Sequence, residues 1–148
     1  MQPLLSFLWE NREKLLEQML EHVGLTFLSL TIAVLIAVPL GIWITRQQKM
    51  ASTVLAIAGI LQTIPSIALL GFLLPFLGIG LQPAIVALFL YAILPILRNT
   101  YTGIEQVAPS VIEAAKGMGM TDVQLLRKVQ LPLAMPVIFA GIRTATVI

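Results

Sequence analysis

Residues 113–132 read E-A-A-K-G-M-G-M-T-D-V-Q-L-L-R-K-V-Q-L-P, a polar island between apolar stretches long enough to span a bilayer. A structured, charged segment held between two spans is placed to meet a soluble partner. Ser110 followed by Glu113 has capping-box spacing and predicts the start of a short helix. Ala114 and Ala115 favour that helix, and Gly117 and Gly119 around Met118 are expected to break it by allowing positive φ. Thr121 and Gln124 repeat the box. The second helix should run to about Val129, with Arg127 and Lys128 at its negative dipole end. Pro132 and Pro136 then fit the first turns of a further helix.

Composition carries the membrane assignment independently. The 148-residue chain is 58% hydrophobic and 11% charged, with a mean hydropathy of +0.96. It has no cysteine and one histidine, His22, which removes thiolate metal sites and histidine clusters from consideration. The net charge of +2 comes from basic residues scattered among hydrophobic segments, so nucleic-acid binding is not expected. No G-x-x-x-x-G-K-[ST] phosphate loop occurs, so P-loop ATP hydrolysis must belong to another polypeptide. The spans carry no paired carboxylates or Ser/His/Asp set, which argues against an intramembrane enzyme and a proton-coupled carrier.

Spans are expected at about 23–45, 50–77 and 83–104, the last two divided by the turn-forming Gly78-Ile79-Gly80-Leu81-Gln82-Pro83. A partial span begins at Leu131 and is still apolar at Ile148, which suggests a longer subunit. The acidic lead-in to the first span predicts no cleaved leader. Arg46, Lys49, Arg98, Lys116, Arg127 and Lys128 place the ends of spans one and three, and the island, in the cytoplasm by the positive-inside rule. The N-terminus and the 78–83 turn then lie outside. Residues 1–22, with Leu5, Leu8, Trp9, Leu15, Leu16, Met19 and Leu20 at near-helical spacing, predict an extracytoplasmic amphipathic helix on the membrane surface. It could close over the bundle or receive a binding protein.

Gln62-Thr63-Ile64-Pro65-Ser66 lies within the second span, and Pro65 should bend or open the helix. Gln62, Thr63, Pro65 and Ser66 could therefore line a translocation path, or the proline could be a packing kink. Arg98 should snorkel to the cytoplasmic interface. Arg143 could snorkel, pack or face the path. The scattered aromatics Trp43, Phe72, Phe76, Phe89, Tyr91 and Tyr101 read as packing and lipid-belt residues before a cage for a cation.

Glu113-Ala114-Ala115, Gly119 four residues after the last alanine, and Val129, Leu131 and Pro132 resemble the EAA loop of membrane subunits of ATP-binding-cassette (ABC) importers. Val129 stands where that family usually has isoleucine. The loop in the family is cytoplasmic and fits a groove on the ATPase. The resemblance thus assigns ATPase coupling to Glu113, Ala114, Ala115, Gly117, Met118, Gly119, Met120, Thr121, Leu131 and Pro132. The segments from Gly24, Gly59, Ala87 and Ala140 are similar to permeases for osmoprotectants of the OpuB/OpuC type, which carry glycine betaine, carnitine, choline or proline betaine.

The resemblance implies an all-α, polytopic transmembrane bundle of the type I importer fold over 23–148, with a coupling loop at 105–130. It also implies a multi-pass protein of a prokaryotic cytoplasmic membrane. Its partners would be ABC ATPase subunits holding ATP and Mg, a second identical or paralogous membrane subunit, an extracytoplasmic substrate-binding protein or domain, and membrane lipid. No cofactor is expected on this chain. Relatives that import ergothioneine leave the solute open, and an ATPase-independent secondary transporter or a membrane scaffold are the competing classes.

Overall fold

The uncharged run from Val23 to Thr45 folds as expected into helix, but the helix begins earlier. The computed structural model describes residues 8–148. Its first long helix, α1 (Arg12–Thr45), has 34 residues and is about 51 Å long. Of the segment expected to lie on the membrane surface, residues 12–22 are the first three turns of α1, and the chain turns at Asn11. Trp9 precedes that turn with the Arg12 guanidinium 4.8 Å from its ring centre, a cation–π contact. Leu5 lies outside the described residues.

A tight turn at Arg46 and Gln47 leads into α2 (Gln48–Thr63), and α3 (Ser66–Leu77) follows at 94° to it. The expected span 50–77 is thus a right-angled pair and not a single kinked rod. Two local effects produce the break. Pro65 has no N–H to give Leu61, and a residue before proline is pushed out of the helical region, as Ile64 is with ψ 126°. Gly78 (φ 77°) and Gly80 (φ 151°) then reverse the chain where the sequence placed a turn.

The central element is α4 (Leu81–Glu105), packed between α1 and α7 (Leu131–Val147). Its buried residues include Ala92, Leu94, Pro95, Ile96, Leu97, Thr100, Gly103 and Ile104. The helices approach through small residues, as expected where lipid supplies no hydrophobic drive for association. On α1 these are Ser29, Ala33, Ala37 and Gly41, and on α7 Ala134, Gly141 and Ala145. A Cβ on Gly41 would stand 2.8 Å from the Thr100 side chain, so glycine there sets the α1–α4 distance.

Between α4 and α7 lie α5 (Pro109–Gly117), α6 (Asp122–Leu125) and a π-helical turn (Leu126–Gln130). Two expectations are corrected here. The helix expected to end near Val129 continues without a gap through Pro132 and Pro136, so 122–147 forms one 26-residue rod long and apolar enough to cross a membrane. The π turn widens the backbone just before Pro132, whose ring would clash with the carbonyl one turn back in a regular α-helix. The Ser110–Glu113 capping box does not form: Pro109 takes the first helical position with Ala108 as cap, leaving Ser110 inside the helix with no capping bond.

Candidate functional site

The polar island folds into a compact double turn whose geometry follows from its glycine and threonine. At the end of α5 the Met120 N–H bonds the Ala115 carbonyl (3.2 Å) and the Gly119 N–H bonds that of Lys116 (2.9 Å), a Schellman closure. Gly119, at φ 79°, supplies the left-handed residue that this closure needs. Gly117, which was expected to share that role, stays helical as the last residue of α5. The Thr121–Gln124 box forms in full: the Gln124 N–H donates to Thr121 Oγ1 (3.4 Å), and the Thr121 N–H donates to Gln124 Oε1 (3.0 Å).

The island has two well-buried positions among mostly exposed ones. Ala115 and Leu125, one on each short helix, are each 2% exposed, and the two short helices contact one another. Glu113, Ala114, Gly119 and Thr121 are exposed, Met120 and Leu131 are half-buried and Pro132 is exposed. Met118 (71% exposed) and Val123 (62%) are exposed apolar side chains of the island, as is Val111. Exposed apolar side chains on a capped loop are of the kind that protein interfaces use. Of the adjacent Ala114 and Ala115, the first is exposed and the second buried.

One contact was not anticipated. Arg46, read in the sequence only as an orienting charge, reaches from the end of α1 to the island. Its Nη2 donates to the Asp122 carbonyl and to Gln130 Oε1, each at 3.4 Å. Gln130 is buried at the end of the π turn, so Arg46 ties the end of the first span to the first residue of α6 and to the last residue before α7. A cation following a span was the only sequence signal for it.

The second group of residues lies at the α2–α3 elbow. Gln62 is half-buried and donates through Nε2 to the Tyr91 carbonyl (3.1 Å), and Thr63 Oγ1 donates back to Ile60 O (2.7 Å). Thr63, Pro65 and Ser66 are exposed, and Ser66 shares a crevice with Ala87, Leu88 and Tyr91. Arg143 lies on an exposed face of α7 with Pro136, Phe139, Ala140 and Thr144. That face is lined by α7 and Ile148 alone, so the described residues do not bring Arg143 and the elbow into one cleft. Arg98 is exposed on α4, beside the buried Leu94, Pro95, Ile96 and Leu97.

Residues 37–148 match the family described as binding-protein-dependent transport system inner membrane component. Over 147 residues the chain is 50% identical to the choline transport system permease protein OpuBB of Bacillus subtilis, covering 99% of this chain and 68% of the relative. It is 47% identical to the glycine betaine/carnitine/choline transport system permease protein OpuCB of the same organism, with the same coverage. The osmoprotectant import permease protein OsmW of Salmonella typhimurium is 45% identical, with 97% of this chain and 69% of the relative covered. Among solved structures, an inward-facing conformation of the MetNI methionine ABC transporter superposes with a TM-score of 0.76 at 30% identity, covering 99% of this chain and 71% of that one. The all-α bundle and its loop are thus those of a type I ABC importer permease, and the chain belongs to the family of binding-protein-dependent transport system inner membrane components.

Proposed function

We propose that the subunit containing this chain imports a quaternary-ammonium osmoprotectant, with choline, glycine betaine and carnitine as its solutes. The relatives named for those solutes support this reading. ATP and Mg belong to a partner ATPase pair. A second membrane subunit and an extracytoplasmic binding protein complete the assembly, in a cytoplasmic membrane with the N-terminus outside.

The observation that carries the coupling role is the continuity of the 122–147 rod with the capped island. Coupling through a slack loop would lose displacement in bending. Here the presented face at Met118 and Val123 is fixed by the Gly119 closure and the Thr121 box, and α6 passes through the π turn into α7 without a gap. Movement of the ATPase against that face would tilt α7 directly, and Arg46 would pass part of the displacement to α1.

Affinity for the solute belongs to the binding protein. A tight site for a quaternary ammonium needs several aromatic rings converging on one point, and the ring pair on α3, Phe72 and Phe76, is exposed to the surroundings of the bundle. The test is ATP-dependent uptake of radiolabelled choline, glycine betaine and carnitine into proteoliposomes holding the full subunit, its ATPase and its binding protein. Uptake of at least one, lost without ATP, supports the proposal. Uptake that persists without the ATPase makes it a secondary transporter, and transport of none of the three overturns the substrate class.

A further inference from the structure

Two prolines on facing helices each strip a neighbouring backbone of its ordinary hydrogen bonding. Pro95, inside α4, has no N–H to give the carbonyl of Tyr91, four residues earlier. Pro65 breaks the span after Ile64, whose carbonyl stands in extended backbone beyond the end of α2. In hydrocarbon an unsatisfied carbonyl is expensive and has no water to turn to. The structure resolves both at one place. Gln62 Nε2 donates to the Tyr91 carbonyl at 3.1 Å, and the Tyr91 hydroxyl donates to the Ile64 carbonyl. Each helix repairs the defect of the other, with Tyr91 giving through its side chain and receiving through its backbone.

From this reciprocity we infer that Gln62 and Tyr91 form a clasp that fixes the α2–α3 elbow at its 94° angle against α4 and is required for transport by holding the elbow in place. At the break itself few side chains are buried, whereas farther out both arms pack on α4, α2 through Ala51 and Ala58. Thr63, Pro65 and Ser66 are exposed, Ile67 is 84% exposed, and Leu69 is the buried residue of α3. A break whose own residues are exposed changes its angle when its polar ties are cut, even with both arms still packed on α4. Tyr91 also lines both the crevice that holds Ser66 and another between α1, α4 and α7, as Leu88 and Ile148 do. Gln62 and Tyr91 act here as positioning residues. This inference rests on the transport reading, but its structural half can be measured without transport.

The experiment places spin labels at Ile57→Cys on α2 and Phe72→Cys on α3, both exposed positions in a chain without cysteine. The full subunit is studied in lipid nanodiscs with its ATPase and binding protein. The distance distribution should be narrow in the parent and broad or shifted in Tyr91→Phe, in Gln62→Leu and in their double variant. The double variant should change it little beyond either single one, because the two bonds secure one joint. Uptake in proteoliposomes should fall roughly tenfold in either single variant, as expected for one orphaned carbonyl, while solute affinity of the binding protein and insertion stay unchanged.

Unchanged distances in both single variants overturn the clasp. Altered distances with uptake undiminished overturn its role in transport. If one variant does not insert, the other decides. Absence of uptake in the parent with correct distances counts against the transport reading alone.

Discussion

Gly141→Ala adds one methyl group where, of the glycines, the surroundings leave it least room. The new Cβ would lie 2.6 Å from Asn99 Cβ, 2.7 Å from the Pro95 carbonyl oxygen and 3.1 Å from Asn99 Cγ. Those contacts fall about 1 Å inside the separation at which non-bonded attraction is optimal. Neither obstacle retreats easily. The oxygen is backbone, and Asn99 is held by donating through Nδ2 to that same oxygen at 2.7 Å. Helix α7 must therefore move off α4, which loosens the contacts of Ala134, Ile138 and Ala145 along the same face. Overpacking of this kind costs about 1–3 kcal/mol, and the first one or two of these reduce the folded-to-unfolded ratio by a factor of roughly 5 to 30. Gly59→Ala on α2 is the control, since nothing lies within 4 Å of its Cβ and a helical Gly→Ala exchange stabilises by roughly 0.5–1 kcal/mol. Unfolding of the full subunit in mixed micelles should rank Gly59→Ala above the parent and Gly141→Ala below it. Gly141→Ala as stable as the parent would refute the α4–α7 packing described here.

Further outcomes concern the coupling face. Gly119→Ala should cost about 1 kcal/mol through its positive φ alone, because the space around its Cβ is empty, and Gly119→Asn should restore much of the loss; uptake per ATP hydrolysed measures both. Thr121→Ala removes a complete capping box and should lower the stability of the loop by about 1 kcal/mol, read as faster amide exchange at 121–125 with the spans unaffected. Met118→Asp places a charge on the presented apolar face and should weaken ATPase co-purification at least as strongly as Val123→Asp, while Glu113→Gln leaves the subunit folded.

Much of this architecture was legible because its causes are local. Gly119 and Thr121 dictate backbone geometry within four residues, and Pro65 breaks its helix whatever surrounds it. Long helices over 23–45 and 83–104 were legible from apolar runs, whereas the right angle within 50–77 and the start of the last rod at Asp122 were not. Features that depend on competition or on distant partners were not. Ser110 and Glu113 have the right spacing for a cap, but Pro109 claims the first turn. Pro132 was read as a helix start because the sequence does not reveal that a π turn can absorb it. The α1 boundary was set at residue 22 by hydropathy, although charged residues continue a helix as readily as apolar ones. The roles of Tyr91 and Arg46 depend on residues 27 or more positions away and become visible only in the folded chain.

The central claim is that the loop around Met118 meets an ATPase on the cytoplasmic side. Its most direct test is a photo-crosslinking amino acid placed at Met118 in the assembled transporter, with a second at Ile79, the almost fully exposed tip of the turn between α3 and α4. Met118 should yield an adduct with the mass of subunit plus ATPase whose amount changes with ATP, and Ile79 should yield none with the ATPase. An ATPase adduct at Ile79 with none at Met118 would contradict both the orientation and the coupling role.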